Sequence, residues 1–176
     1  MMKKFLTSLA LLSLVAVHSA LAVTFSDAAD YRYKSAIDIL SDRGIIAGYS
    51  DGTYRPNQTI NRAELVKILI ETEYADFSPP LDTRCFEDFL WRSTETAPWY
   101  AEPVCLAREL GIVDGYPNGT FRPEQPVNLA EAAKIVTYAL KISPPILQSH
   151  QQWYEPFLQI ARDADALTPL LQTPAH

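Results

Sequence analysis

Histidine, glycine and cysteine are scarce in this chain of 176 residues, which has three, six and two of them respectively. Beyond the N-terminal segment the histidines are His150 and His176, both outside the patterned part of the chain. Neither Gly-x-Ser-x-Gly nor His-Glu-x-x-His occurs, so a nucleophile elbow and a zinc-protease helix are excluded. No enzymatic activity, metal or cofactor is expected. Positive charge is short as well: 15 Lys+Arg against 21 Asp+Glu give a formal net charge of −6. An acidic chain repels nucleic acid as a whole, and an anionic ligand must meet a local basic spot. Past residue 22 there is no apolar run near the roughly 20 residues that span a bilayer, so no membrane span is expected.

What is present begins with Met1-Met2-Lys3-Lys4, an apolar run from Phe5 to Val17, and Ser19-Ala20-Leu21-Ala22. A basic start, a short apolar core and small residues at the end read as a secretory signal peptide cleaved after Ala22. Its loss removes Lys3 and Lys4, taking the formal charge from −6 to −8. The mature chain is expected to be secreted, at the cell surface or in the envelope. In that setting Cys85 and Cys105 read as a disulfide closing a loop of about 20 residues, constraining the unfolded chain by roughly 3 kcal/mol. Two buried thiols or a metal pair are the alternatives, and two sulfurs without a nearby histidine make a poor zinc site.

The strongest pattern is an internal repeat. Gly44-Ile45-Ile46-Ala47-Gly48-Tyr49-Ser50-Asp51-Gly52-Thr53-Tyr54-Arg55-Pro56 returns 67 residues later as Gly111-Ile112-Val113-Asp114-Gly115-Tyr116-Pro117-Asn118-Gly119-Thr120-Phe121-Arg122-Pro123. The register continues through Asn61-Arg62-Ala63-Glu64 and Asn128-Leu129-Ala130-Glu131. Each repeat opens on Phe-x-Asp (Phe25-Ser26-Asp27, Phe86-Glu87-Asp88) and leads into a helix, with Ala36, Ile37 and Leu40, or Val104, Cys105, Ala107 and Leu110, at helical spacing. Gly44 and Gly111 stop these helices. The Asp-Gly and Asn-Gly pairs are tight turns, flanked by aromatics that can pair as very short strands. Asn61 with Glu64, and Asn128 with Glu131, form capping boxes that start the second helices. A helix–loop–helix unit this small cannot bury its apolar face alone, so the repeats are expected to pack on one another.

A third repeat starts and does not finish. Trp153-Tyr154 matches Trp99-Tyr100, and Ala161-Arg162 matches Ala107-Arg108, in one register. No further Gly-Tyr loop follows. The expected division is a signal peptide over 1–22, repeat one over 23–76, repeat two over 77–142, and a partial repeat three with a tail over 143–176. Pro79-Pro80 and Pro144-Pro145 make short stiff spacers between them.

This ordered series resembles the S-layer homology (SLH) family of bacterial envelope proteins. The resemblance implies a mostly all-α fold in which tandem repeats form a pseudo-threefold bundle, here an incomplete one. It implies non-covalent attachment to cell-wall or secondary cell-wall polysaccharide, including pyruvylated polymers. The family's Thr-Arg-Ala-Glu motif supplies an arginine for the anionic sugar, a role that falls on Arg62. A planar, permanently charged fork suits a carboxylate, and a helix N-terminus favours an anion. Leu129 stands where the second arginine would be, so the expected chemistry narrows to repeat one.

Around Arg62, the expected ligand-binding set is Asp27, Gly48, Tyr49, Gly115 and Tyr116. The tyrosines can stack on sugar rings or pack under their loops. The glycines serve the backbone or let a sugar approach. Asp27 and Asp88 serve turns or caps, or support the groove. Glu64 and Glu131 are explained by capping rather than glycoside hydrolysis. Neither Asp/Asn-Gly loop places acids at positions one, three and five of a calcium loop. The alternative function is a structural or assembly protein whose repeats make protein contacts and self-associate through an unfinished bundle. A truncated anchor of a larger surface protein is the third reading.

Overall fold

The computed structural model of the protein describes residues 24–77, 84–90 and 96–164. The expected signal peptide over 1–22, the Pro79-Pro80 spacer and the end of the expected third repeat lie outside the described residues. Among the described residues, five helices make up the regular structure: α1 (Lys34–Asp42), α2 (Arg62–Glu73), α3 (Ala101–Glu109), α4 (Leu129–Ala139) and α5 (Glu155–Asp163). The fold is all-helical, and none of these helices is long and apolar enough to cross a membrane.

The repeat in the sequence is a repeat in space. Helices α1, α3 and α5 have nine residues each. Both α3 and α5 begin two residues after the tryptophan of a Trp-Tyr pair, and the two rings of each pair meet edge to face. The second helix of a repeat packs on the first helix of the next, α2 on α3 and α4 on α5, while α2 also packs on α4. Both second helices start at a complete capping box: Asn61 and Asn128 accept from the amides of Glu64 and Glu131, whose carboxylates accept in return. The asparagine is the cap itself, and each helix proper begins one residue later.

Loops are held by acids and glycines rather than strands. The carboxylate of Asp27 accepts from the amides of Tyr54 and Arg55 at 2.8 and 2.7 Å, and Asp88 does the same for Phe121 and Arg122 at 2.8 and 2.7 Å. These bonds hold Arg55 and Arg122 at φ 60° and 59°, a left-handed conformation that costs a non-glycine residue roughly 1 kcal/mol. The short strand pairs expected inside the loops are tight turns closed by two bonds each: Tyr49 N donates to Thr53 O and Gly52 N to Tyr49 O in repeat one, and Tyr116 N to Thr120 O and Gly119 N to Tyr116 O in repeat two, at 2.8 and 2.9 Å. The isolated β-bridge among the described residues instead joins the two repeats, from Asn61 to Pro126.

The main core sits between α2, α3 and α4, where Val66, Val104 and Phe121 are fully enclosed. Phe121 packs tilted on Phe86 at 5.3 Å and edge-on to Phe89 at 6.2 Å. Repeat one keeps a smaller cluster of Phe25, Ala28 and Ile37 against Tyr54. Cys85 and Cys105 form a disulfide, Cα atoms 5.5 Å apart, that ties the start of repeat two to α3.

Candidate functional site

Two grooves occupy equivalent places. Each lies between a Gly-Tyr loop, the second helix of the same repeat and the tryptophan that leads into the first helix of the next repeat. Groove one, about 410 Å³, is lined by residues that include Ile46, Gly48, Tyr49, Arg55, Glu64, Lys67, Ile68 and Trp99. Groove two, about 310 Å³, is lined by residues that include Val113, Asp114, Gly115, Tyr116, Glu131, Lys134, Ile135 and Trp153, and also by Arg62.

Arg62 therefore belongs to the groove of the following repeat. The first turn of α2 is clasped by the loop after Phe121: the amide of Arg62 donates to Gln125 O, that of Ala63 donates to Pro123 O, and Val127 N donates to Ile60 O. From there the guanidinium passes under groove two. Its Nε donates to Phe121 O at 2.9 Å, its Nη1 lies 3.5 Å from Glu131 Oε1, and its Cζ stands 4.9 and 4.8 Å from the Tyr116 and Phe121 rings. Only 5% of Arg62 is exposed. A charge so enclosed is tolerated because a carboxylate, a carbonyl and two aromatic faces replace water around it.

This corrects two expectations. The arginine does not serve repeat one, because the clasp carries the start of α2 onto repeat two. Nor does the start of α2 offer its dipole to an anion: the amides of residues 62, 63 and 64 already have protein acceptors.

Glu131 organises groove two. Its Oε1 accepts the Tyr116 hydroxyl at 2.7 Å, and Tyr116 in turn accepts from Gln125 Nε2 at 3.2 Å. Burial first, and then the Glu131 bond, push the Tyr116 phenol above its usual pKa of 10.0. Lys134 reaches across to Asp114 at 3.0 Å, and Asp114 is largely exposed. In groove one Arg55 stacks on Tyr49 at 3.8 Å and pairs with Asp51 at 2.8 Å, while Lys67 pairs with Glu71 along α2. Ala47 stands where groove two has Asp114.

Residues 24–66 and 93–133 match the family model described as S-layer homology domain. Over both stretches the chain is similar to the S-layer homology family. Among curated proteins it is 28% identical over 137 residues to Cell surface glycoprotein 1 of Acetivibrio thermocellus, covering 70% of this chain and 6% of that one. It is 30% identical over 109 residues to the Surface-layer 125 kDa protein of Lysinibacillus sphaericus, covering 62% and 9%. It is 24% identical over 124 residues to the Cellulosome-anchoring protein of A. thermocellus, covering 70% and 27%. The chain thus spans little of the length of the relatives it matches.

Within these repeats the structure divides the expected site residues. Arg62, Gly115 and Tyr116 meet in groove two, Gly48 and Tyr49 lie in groove one, and Asp27 lines neither groove. Hydrogen bonds from the Tyr54 and Arg55 backbone amides hold the Asp27 carboxyl below its usual pKa. A Cβ on Gly48 would fall 2.2 Å from Phe25, and one on Gly115 would fall 2.5 Å from Phe86, at φ 66° and 77°. The glycines thus admit the Phe of Phe-x-Asp from beneath. Lys67, Lys134, Trp99 and Trp153 were not expected as groove residues. Their signal was in the sequence: the lysines recur at the 67-residue offset, and the tryptophans recur ahead of each following helix.

Proposed function

We propose that this chain is an exported, non-catalytic envelope protein whose groove two holds cell-wall or secondary cell-wall polysaccharide without covalent attachment. The single observation that supports this reading is the convergence of Arg62, Lys134, Tyr116 and Trp153 on one groove between repeats. Trp153 offers a half-exposed ring on which a sugar can stack. Arg62 is a fixed positive charge beneath the floor, already facing Glu131. An anionic substituent such as a pyruvyl ketal therefore meets Lys134 first, displacing the exposed Asp114 carboxylate from it. The family match and the surface-layer and anchoring relatives agree with residence in the cell envelope. The division into signal peptide, two repeats and a partial third at 143–176 belongs to the same proposal, since α5 repeats the length and lead-in of α3.

Cosedimentation of purified protein with wall sacculi tests it. Trp153→Ala and Lys134→Met are the informative variants, because Arg62→Ala would confuse lost folding with lost binding. Both should release the protein, and Asp114→Asn should strengthen retention on walls bearing pyruvyl groups. Retention of both variants at the wild-type level would remove groove two from the mechanism, and absence of wild-type pelleting would sink the wall-binding reading.

A further inference from the structure

The clasp between repeats one and two has a donor half and an acceptor half, and the described residues hold one further half of each kind without a partner. The donor half that is used consists of the amides of Arg62 and Ala63 with Ile60 O; the acceptor half consists of Pro123 O, Gln125 O and Val127 N. At the 67-residue offset, the second donor half is Leu129 N, Ala130 N and Val127 O, at the start of α4. The second acceptor half is Pro56 O, Gln58 O and Ile60 N, on the rim of groove one. Among the described residues, none of these six groups has a hydrogen-bond partner.

The side chains of the two unused halves are also matched. Arg62 enters groove two, and Leu129, the residue in its place on α4, is 48% exposed. Groove one is its equivalent, walled by Ile46, Ile60, Ile68 and Trp99, and among the described residues it receives no side chain from a preceding repeat. An arginine would find its carbonyl and carboxylate there; a leucine finds an apolar wall. The residue that replaces arginine at the start of α4 fits the apolar wall of groove one.

We propose that groove one is a docking site for a second copy of this chain, whose α4 start supplies Leu129 and the two amides. The contact is head-to-tail, because the surface given and the surface received differ. Such an interface repeats from molecule to molecule until a ring closes or a filament forms. The occupant is fixed by the internal clasp, which displays the same backbone pairing between two segments of one chain. The proposal concerns groove one and stands apart from polysaccharide binding in groove two.

Light scattering on the purified chain across a hundredfold concentration range tests it, with Leu129→Glu on the donor face and Trp99→Glu on the acceptor face. Both residues are about half exposed, so both variants should fold, as their thermal unfolding checks. The wild type should grow in mass with concentration, and each variant alone should remain a monomer. An equimolar mixture of the two should form a dimer and nothing larger, because one intact donor meets one intact acceptor. A wild type that stays monomeric, variants that assemble as it does, or a mixture that stays monomeric would each overturn the proposal. Wall polysaccharide is the competing occupant of groove one. Loss of sacculus binding by Trp99→Glu, with the wild type monomeric, would assign the groove to it.

Discussion

In repeat two, the Tyr116 hydroxyl, Glu131, Gln125 and Arg62 form one connected set over a core that encloses Phe121 completely. In repeat one the corresponding Tyr49, Glu64 and Gln58 make no such set among the described residues, and Tyr54 stands in the place of Phe121 over a three-residue cluster. The local sequences are nearly the same. What differs is whether a preceding repeat delivers a helix start to the loop. The grooves are therefore unequal because of position in the array, and groove two is completed by a side chain from the repeat before it.

The largest effect that can break this comparison comes from the core position. Phe121→Ala should cost about 4 kcal/mol, the usual range for an enclosed aromatic, and Tyr54→Ala about half of that. Urea unfolding monitored by circular dichroism measures both, and equal costs would mean that repeat one is packed as well as repeat two. Next comes the delivered side chain. Arg62→Ala strands Glu131 against buried surface and should cost about 3 kcal/mol, whereas Leu129→Ala, at the same place in the next repeat, should cost less than about 0.5 kcal/mol. A small loss for Arg62→Ala would show that the guanidinium serves the ligand rather than the joint.

The parts legible in the sequence are those set by short-range chemistry. Asn-x-x-Glu announced both capping boxes, the glycines announced both helix ends, and the spacing of Trp-Tyr announced α5, because each depends on residues within a few positions. Arg62 was expected to act in repeat one, and the structure places its side chain at groove two. Nothing local says that the start of α2 will lie on residues 123–127; that follows from packing α2 between α3 and α4. Trp99 and Trp153 were noticed as markers of register, yet their place as groove walls depends on the same packing of one repeat on the next.

Two smaller effects sharpen the contrast. Removing a cap side chain costs about 1 kcal/mol, so Asn128→Ala should fall near that figure. Asn61→Ala should exceed it, because the helix start that Asn61 caps is also the segment whose amides form the clasp that seats Arg62, and fraying it loosens that backbone pairing. Matched thermal melts would detect the difference, and identical shifts would mean that the clasp holds without its cap.

Acid should separate the two loops with the smallest signal. The turn of repeat one is held by Asp51, which accepts from the hydroxyl and amide of Thr53 and from Arg55. The Thr53 bond first, and then Arg55, hold its carboxyl down from 3.8 to about 2. A folded-state pKa below the unfolded one means stabilisation that is complete above about 4 and is lost as pH falls through about 2. Repeat two has Asn118 at this place, accepting from Thr120 at 2.8 Å with no proton to gain. The Thr53 amide resonance should therefore shift between pH 4 and 2 while that of Thr120 stays nearly still. Asp51→Asn should abolish the difference, making the first turn as insensitive to acid as the second. If both amides move together in the wild type, the acid response comes from the shared core, and the two loops are not independent.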